Sequence, residues 1–245
     1  MPDAFLAAAA VFVFAGFVKG VIGLGLPTIS IGMLALVMPP VQAAALLVLP
    51  AILTNLWQMF VGPGLIPIIK RLWPMLTTLC LGTWAASGIM TGPHVRLAGA
   101  LLGIALIAYA AIGLLAWKLK VAREQEIWAG PLVGFLTGIV TAATGVFVIP
   151  SVPYMQAIGF EKDELVQALG LSFMVSTLAL AVNVARAGAL TQDMVIPSLL
   201  AAVAAFAGMG IGQFVRARLD ANAFRRWFFI GLLVLGIALI ARAFG

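Results

Sequence analysis

Charge is scarce in this sequence. Only 9% of its 245 residues are Asp, Glu, Lys or Arg, where soluble domains carry about a quarter; a soluble fold with a charged surface is excluded. No Asp or Glu lies deep in any apolar run, so the carboxylate proton relay common in coupled transporters is missing. Cysteine occurs once, Cys80, inside an apolar run, which leaves no partner for an intramolecular disulfide. Histidine also occurs once, His94; a histidine-rich metal site is ruled out, and neither a metal nor a cofactor is expected. No Gly-x-x-x-x-Gly-Lys-Ser/Thr run is present, which argues against an ATP-driven pump within this chain. The net charge of +6 would suit nucleic acid, but the basic residues sit in short loops between apolar segments and read as topology signals. Met1-Pro2-Asp3 lacks the positive start of a secretory leader, so the first apolar run is expected to be mature structure.

What the chain has is hydrophobic length: 64% of residues are hydrophobic, in runs that exceed the ~20 residues needed to span hydrocarbon. The expected fold is an all-α polytopic membrane protein. The first apolar block runs from about Ala4 to Val37, which as one helix would be ~50 Å long against a ~30 Å hydrocarbon core. It must be divided, and Gly16, Gly20, Gly23, Gly25 and Pro27 mark where. Further blocks cover about Ala43–Phe60, Trp73–Met90 and Leu97–Trp117, with Lys70-Arg71 before the third and Thr91–His94 as a tight connection to the fourth. A polar linker, Lys118 to Glu126, follows. The pattern then recurs: a long block from Trp128 to about Ile158, an acidic loop at Glu161–Glu164, then Val166–Val184, Val195–Phe214 and Trp227–Ala241.

Gly16-Phe-x-x-Gly20 answers Gly134-Phe-x-x-Gly138, ~118 residues on. Gln42-Ala43 answers Gln167-Ala168, Asn55 and Gln58 answer Asn183, and Trp73-Pro74 answers Ile196-Pro197. The order of these matches points to an internal duplication, with repeats at 1–120 and 127–245 forming one integral-membrane domain. If each long first block is a single span, Lys and Arg divide 7 to 6 between the two sides, Lys19 set apart. If each enters and returns, the second half is inverted and the division is 10 to 3, with only Arg96, Arg186 and Arg242 outside. The positive-inside bias favours the inverted reading: eight blocks, up to ten membrane segments, both termini outside, an architecture shared by many secondary transporters.

Within that frame Lys19 is the outlying residue. It lies ~22 Å along a helix starting near Ala4, and a charge in mid-bilayer costs at least ~2.5–3.5 kcal/mol on insertion scales. It reads as an attractor for an anion. A half-helix starting near Pro27-Thr28 would aim free N–H groups and its positive end at the same ligand. Gly20, Gly23, Gly25, Pro27 and Thr28 are therefore candidate substrate-binding residues. Thr141, Thr144, Gly145 and Pro150 would make the mirrored half-site, which has no lysine. Gly16 and Gly20 also fit helix packing, and Gly208, Gly210 and Gly212 are assigned to packing alone. Among the polar residues of the second and sixth blocks (Thr54, Asn55, Gln58, Ser172, Ser176, Thr177, Asn183), Asn55 and Ser176 are the candidates for substrate contact. Trp57, Trp73, Trp117, Trp128 and Trp227 read as interfacial anchors.

The run Gly16-Phe-x-x-Gly20-x-x-Gly23-x-Gly25-x-Pro27, its weaker copy in the middle and the two halves of four blocks resemble the TauE/SafE family of sulfite and organosulfur exporters. The resemblance spans essentially the whole chain. It departs in the second copy, where Thr141-Ala142-Ala143-Thr144-Gly145 replaces the tighter glycine run. Membership would imply a secondary transporter of small anions such as sulfite or organosulfonates, in the inner (plasma) membrane of a bacterium, working by alternating access around a midplane anion site. An anion channel of the same architecture is the alternative. A membrane enzyme has no cluster of titratable residues on one face to support it, and a non-transport assembly subunit is the remaining reading. The partners expected are the anion and the lipid bilayer; for a homodimer no residue argues either way.

Overall fold

Glycine and proline divide the chain where helix length requires it. The computed structural model describes residues 2–62, 64–90, 95–115 and 120–244; the Thr91–His94 connection, Trp117 and Lys118 lie outside the described residues. Those residues form ten α-helices and no strand. In the first half they are α1 (Pro2–Ile22), α2 (Leu26–Leu34), α3 (Pro40–Phe60), α4 (Leu65–Ala85) and α5 (Val95–Leu115). In the second they are α6 (Glu126–Thr144), α7 (Ser151–Ala157), α8 (Lys162–Arg186), α9 (Val195–Arg216) and α10 (Ala221–Phe244). Seven of these are long and apolar enough to cross a bilayer, judged by length and composition. Their outward faces carry Leu, Ile, Val and Phe, and the anchors Trp57, Trp73, Trp128 and Trp227 are all exposed.

Three boundaries differ from expectation. Lys70 and Arg71 lie inside α4, whose first turn begins at Leu65-Ile66-Pro67. Proline is at home in a first turn, where its missing N–H costs nothing. Pro74 lies within the helix. The acidic stretch is not a loop: Glu161 caps α8 and Glu164 reaches back to the Glu161 N–H at 3.1 Å, a capping box that satisfies end donors and suits the positive helix end. Arg225 and Arg226 belong to the opening turns of α10.

The two broken helices pack by bare backbone. A Cβ added at Gly16 or Gly20 would strike the Ala205 or Met209 carbonyl of α9; one at Gly134 or Gly138 would strike the Met75 or Leu79 carbonyl of α4. Gly212 meets Phe17 as Gly82 meets Phe135. Small residues at such crossings let helices approach closely enough for dispersion to hold them without a hydrophobic drive. The two seams match term by term when α1 maps onto α6 by 118 residues and α4 onto α9 by 130. That register pairs Ile196-Pro197 with Ile66-Pro67, not with Trp73-Pro74. Gly208 and Gly212 serve the α1 seam, whereas Gly210 faces open space.

These contacts also fix direction. Contact partners rise together along α1 and α9 and along α4 and α6. Gly103 meets Gly236 and Ile240 while Gly236 meets Gly103 and Ile107, so α5 and α10 run antiparallel. Gln58 of α3 bonds the Val166 carbonyl at the start of α8, while Val41 and Val184 line one cavity at the other ends; this pair is antiparallel too. Lys70, Arg71, Arg123, Lys162, Arg216, Arg218, Arg225 and Arg226 thereby gather at one end of the bundle. At that end Arg71 pairs with Glu126, with Nε to Oε2 at 2.9 Å, donates to the Ile158 carbonyl at 2.7 Å, and lies over the Phe160 ring.

Candidate functional site

The site is set by one step around α1. Gly16 and Gly20 face α9, so Lys19, one residue before Gly20 and thus ~100° away on a helix of 3.6 residues per turn, turns to the bundle interior. It is 3% exposed. Its Nζ donates to Thr54 Oγ1 at 3.1 Å and to Asn55 Oδ1, neighbours late in α3. Asn55 in turn donates from Nδ2 to Thr177 Oγ1 of α8 at 3.3 Å. Thr54 and Thr177 hold their hydroxyls by donating to the Pro50 and Phe173 carbonyls one turn back, at 2.8 and 2.6 Å. The result is a chain of neutral groups from both halves around one amino group. Among the described residues the only ion pair is Arg71–Glu126, so Lys19 has no carboxylate partner.

Just beyond Lys19 the helix breaks. The Gly23 N–H closes α1 onto the Lys19 carbonyl at 2.8 Å, and Gly23 and Gly25 take φ of 79° and 111°, which side chains with a Cβ rarely adopt. The Gly23 carbonyl accepts from Gln58 Nε2 at 2.9 Å, which answers one of the acceptors that a helix end leaves open. Pro27 takes an opening position of α2. Thr28 is 0% exposed and its hydroxyl has no partner.

A second helix break lies at Gly145. Gly145 has φ of 72° and its N–H closes α6 onto the Thr141 carbonyl at 2.8 Å, as Gly23 does on Lys19. From the packing glycine to the break, however, α6 runs seven residues (Gly138 to Gly145) where α1 runs three (Gly20 to Gly23): one extra turn. Thr141 and Thr144 donate to the Thr137 and Val140 carbonyls at 2.7 Å, and Thr144 Oγ1 receives the Val146 N–H at 3.1 Å. Gly145 itself lies against Ile31 of α2, so the second break touches the first half's broken segment. Pro150 is the residue before α7.

The structure thus gathers Lys19, Asn55, Thr54 and Thr177, and sets Gly23 one turn away. Gly20 is committed to the α9 seam. Ser176 donates to the Ser172 carbonyl at 2.9 Å and is not in the Lys19 cluster; its neighbour Thr177 is. The ambiguity was physical: α8 is buried on most of its circumference, so hydrophobic periodicity could not tell which serine or threonine faces α3. Gln58 and Gln167 form a pair that no sequence pattern marks. Gln58 Nε2 reaches the Val166 carbonyl at 3.0 Å, Gln167 Nε2 the Met59 carbonyl at 2.8 Å, and the Gly64 N–H meets Gln167 Oε1 at 3.1 Å. They clasp α3 and α8 at the basic end of the bundle.

A buried amino group with neutral acceptors, beside a helix break and without a carboxylate partner among the described residues, has the chemistry to pair with a small anion. No curated protein and no solved structure shows significant similarity to the chain. The family model described as sulfite exporter TauE/SafE matches residues 8–239. With that match covering nearly its whole length, the chain belongs to the TauE/SafE family, a family of multi-pass membrane transporters for sulfite and related anions.

Proposed function

We propose that this chain exports small sulfur oxyanions or organosulfonates from a bacterial cell by alternating access around Lys19. One observation carries the reading: a buried lysine whose only described partners are neutral. A charge left in such surroundings is electrostatically incomplete, and an arriving anion completes it. Thr54, Asn55 and Thr177 add neutral donors and acceptors, which suit an oxyanion that must leave again.

The architecture proposed around that site is a pair of inverted repeats, 1–120 and 127–245. The support is directional: α3 runs against its counterpart α8, and α5 against α10. Equivalent helices that oppose each other are related by an axis in the membrane plane. With the basic end of the bundle in the cytoplasm, both termini lie outside.

Export of one negative charge from a cell that is negative inside releases ~2.3 kcal/mol per 100 mV, so no fuel beyond gradient and potential is needed. The test is flux of sulfite in liposomes under imposed potassium potentials. Saturable, voltage-sensitive flux with countertransport is expected, and Lys19→Ala should remove it. Flux that ignores voltage, or survives in Lys19→Ala, would refute the proposal. Unitary conductance steps in a planar bilayer would make the protein a channel instead.

A further inference from the structure

Between α9 and α10 the chain turns within residues 217–220, and basic residues crowd around that turn. Arg216, Arg218, Arg225 and Arg226 are four of the chain's 14 lysines and arginines, and all four are exposed. Arg225 and Arg226 lie ~6–8 Å along α10 at 1.5 Å per residue, so the four stand near one level at the end of the bundle. Among the described residues none of them is in an ion pair. The single acid of the stretch, Asp220, is engaged: its Oδ1 accepts the Asn222 and Ala223 N–H groups at 2.9 and 3.3 Å, as a helix N-cap does. Several other bases at this end have acids beside them. Arg71 pairs with Glu126, Arg123 adjoins Glu124, and Lys162 lies between Glu161 and Asp163.

Exposed aromatics flank the arginines. The Arg218 guanidinium lies 5.0 Å from the centroid of the Phe214 ring, and Trp227 follows Arg226; both rings are exposed. Further into the span Ile211, Val234 and Ile237 are exposed as well. Aromatic rings of this kind settle at the headgroup level, and clustered bases beside a span attract anionic lipid. A soluble anion would use the arginines alone. A phospholipid with a negative headgroup uses arginines, rings and apolar faces together.

The same turns of α10 reach inward. Phe224 meets Phe17 of α1 edge to face, with centroids 6.0 Å apart. Phe228 packs at the α1–α2 break, where a Cβ on Gly25 would lie 3.3 Å from its ring.

We infer that the α9–α10 turn is a docking surface for an anionic phospholipid of the leaflet at the basic end. That the bound lipid steadies the broken helix during transport rests on the function proposed above; the binding does not.

Native mass spectrometry of the intact protein in detergent, titrated with phosphatidylglycerol or with phosphatidylcholine of the same chains, tests this. Wild-type protein should retain phosphatidylglycerol in preference. Arg225→Gln with Arg226→Gln should weaken that binding about tenfold or more, each charge near the surface being worth about fivefold. Lysine at both positions should recover most of it. Lys120→Gln with Arg123→Gln, which removes equal charge at the same end, should change it by less than about twofold. Equal retention of the two lipids by wild-type protein, an equal loss in the Lys120 and Arg123 pair, or displacement of phosphatidylglycerol by inorganic phosphate overturns the surface. If phosphatidylglycerol binds as expected and sulfite flux is absent with and without it, the transport reading fails and the lipid surface stands.

Discussion

Asn55 is the residue through which both halves of the chain reach Lys19: its Oδ1 accepts from the amino group and its Nδ2 donates to Thr177. Replacing it with leucine removes an acceptor from a buried donor, at a cost of about 1–3 kcal/mol. Thermal unfolding in detergent should therefore show a lowered Tm for Asn55→Leu. Combined with Lys19→Met the loss should be smaller than the sum of the singles, because the stranded donor is gone as well. Simple additivity would mean that the two side chains do not act as a unit. Lys19 and Asn55 could be singled out by reading because a lysine inside an apolar run, and an asparagine late in the next, break the composition around them. Thr177 could not, since it differs from Ser176 by a rotation of ~100° that only packing assigns.

At the scale of elements, the seams of α1 on α9 and of α6 on α4 rest on glycine positions where backbone meets backbone. Gly20→Leu and Gly138→Leu should be comparably damaging, with overpacking of at least ~1–3 kcal/mol each. Gly210→Ala, whose added Cβ would meet nothing within 4 Å, should leave Tm nearly unchanged. A tolerant Gly138 beside an intolerant Gly20, measured in the same unfolding assay, would argue that the seams are not equivalent. The division of both long blocks was legible because length forbade a single span and glycine with proline supplied the break. The register of α4 was not. Pro67 and Pro74 both look like helix starts, and the basic pair Lys70-Arg71 resembles a loop until Glu126, Ile158 and Phe160 are seen around Arg71.

For the molecule as a whole, the clasp of Gln58 and Gln167 closes the basic end, while both described cavities, of about 210 and 300 Å³, line the start of α3 and the end of α8 or the residues after it. Under the alternating access proposed above, removal of the clasp should shift the balance between the two accesses. In a Cys80→Ser background, a cysteine placed at Thr177 should react faster with a membrane-impermeant thiol reagent applied from the basic side once Gln58 and Gln167 are both leucine. An unchanged rate would assign the glutamines to packing alone. The all-helical, multi-span plan was readable from the length and recurrence of the apolar runs. The clasp was not, because its bonds run from side chain to distant backbone and leave no periodic trace.

The ion pair of Arg71 with Glu126 has no twin. Mapped onto the other seam, the same positions are Ala201 and Ala8, just as Lys19 has only a threonine opposite it. A rocking device made of identical arms would rest equally in its two positions, since exchanging the arms turns one position into the other. Here one arm carries the staple and the other carries the charge, so the exchange yields a different molecule. Under the alternating access proposed above, its two resting positions are unequal in energy, and the empty carrier waits with one door preferred.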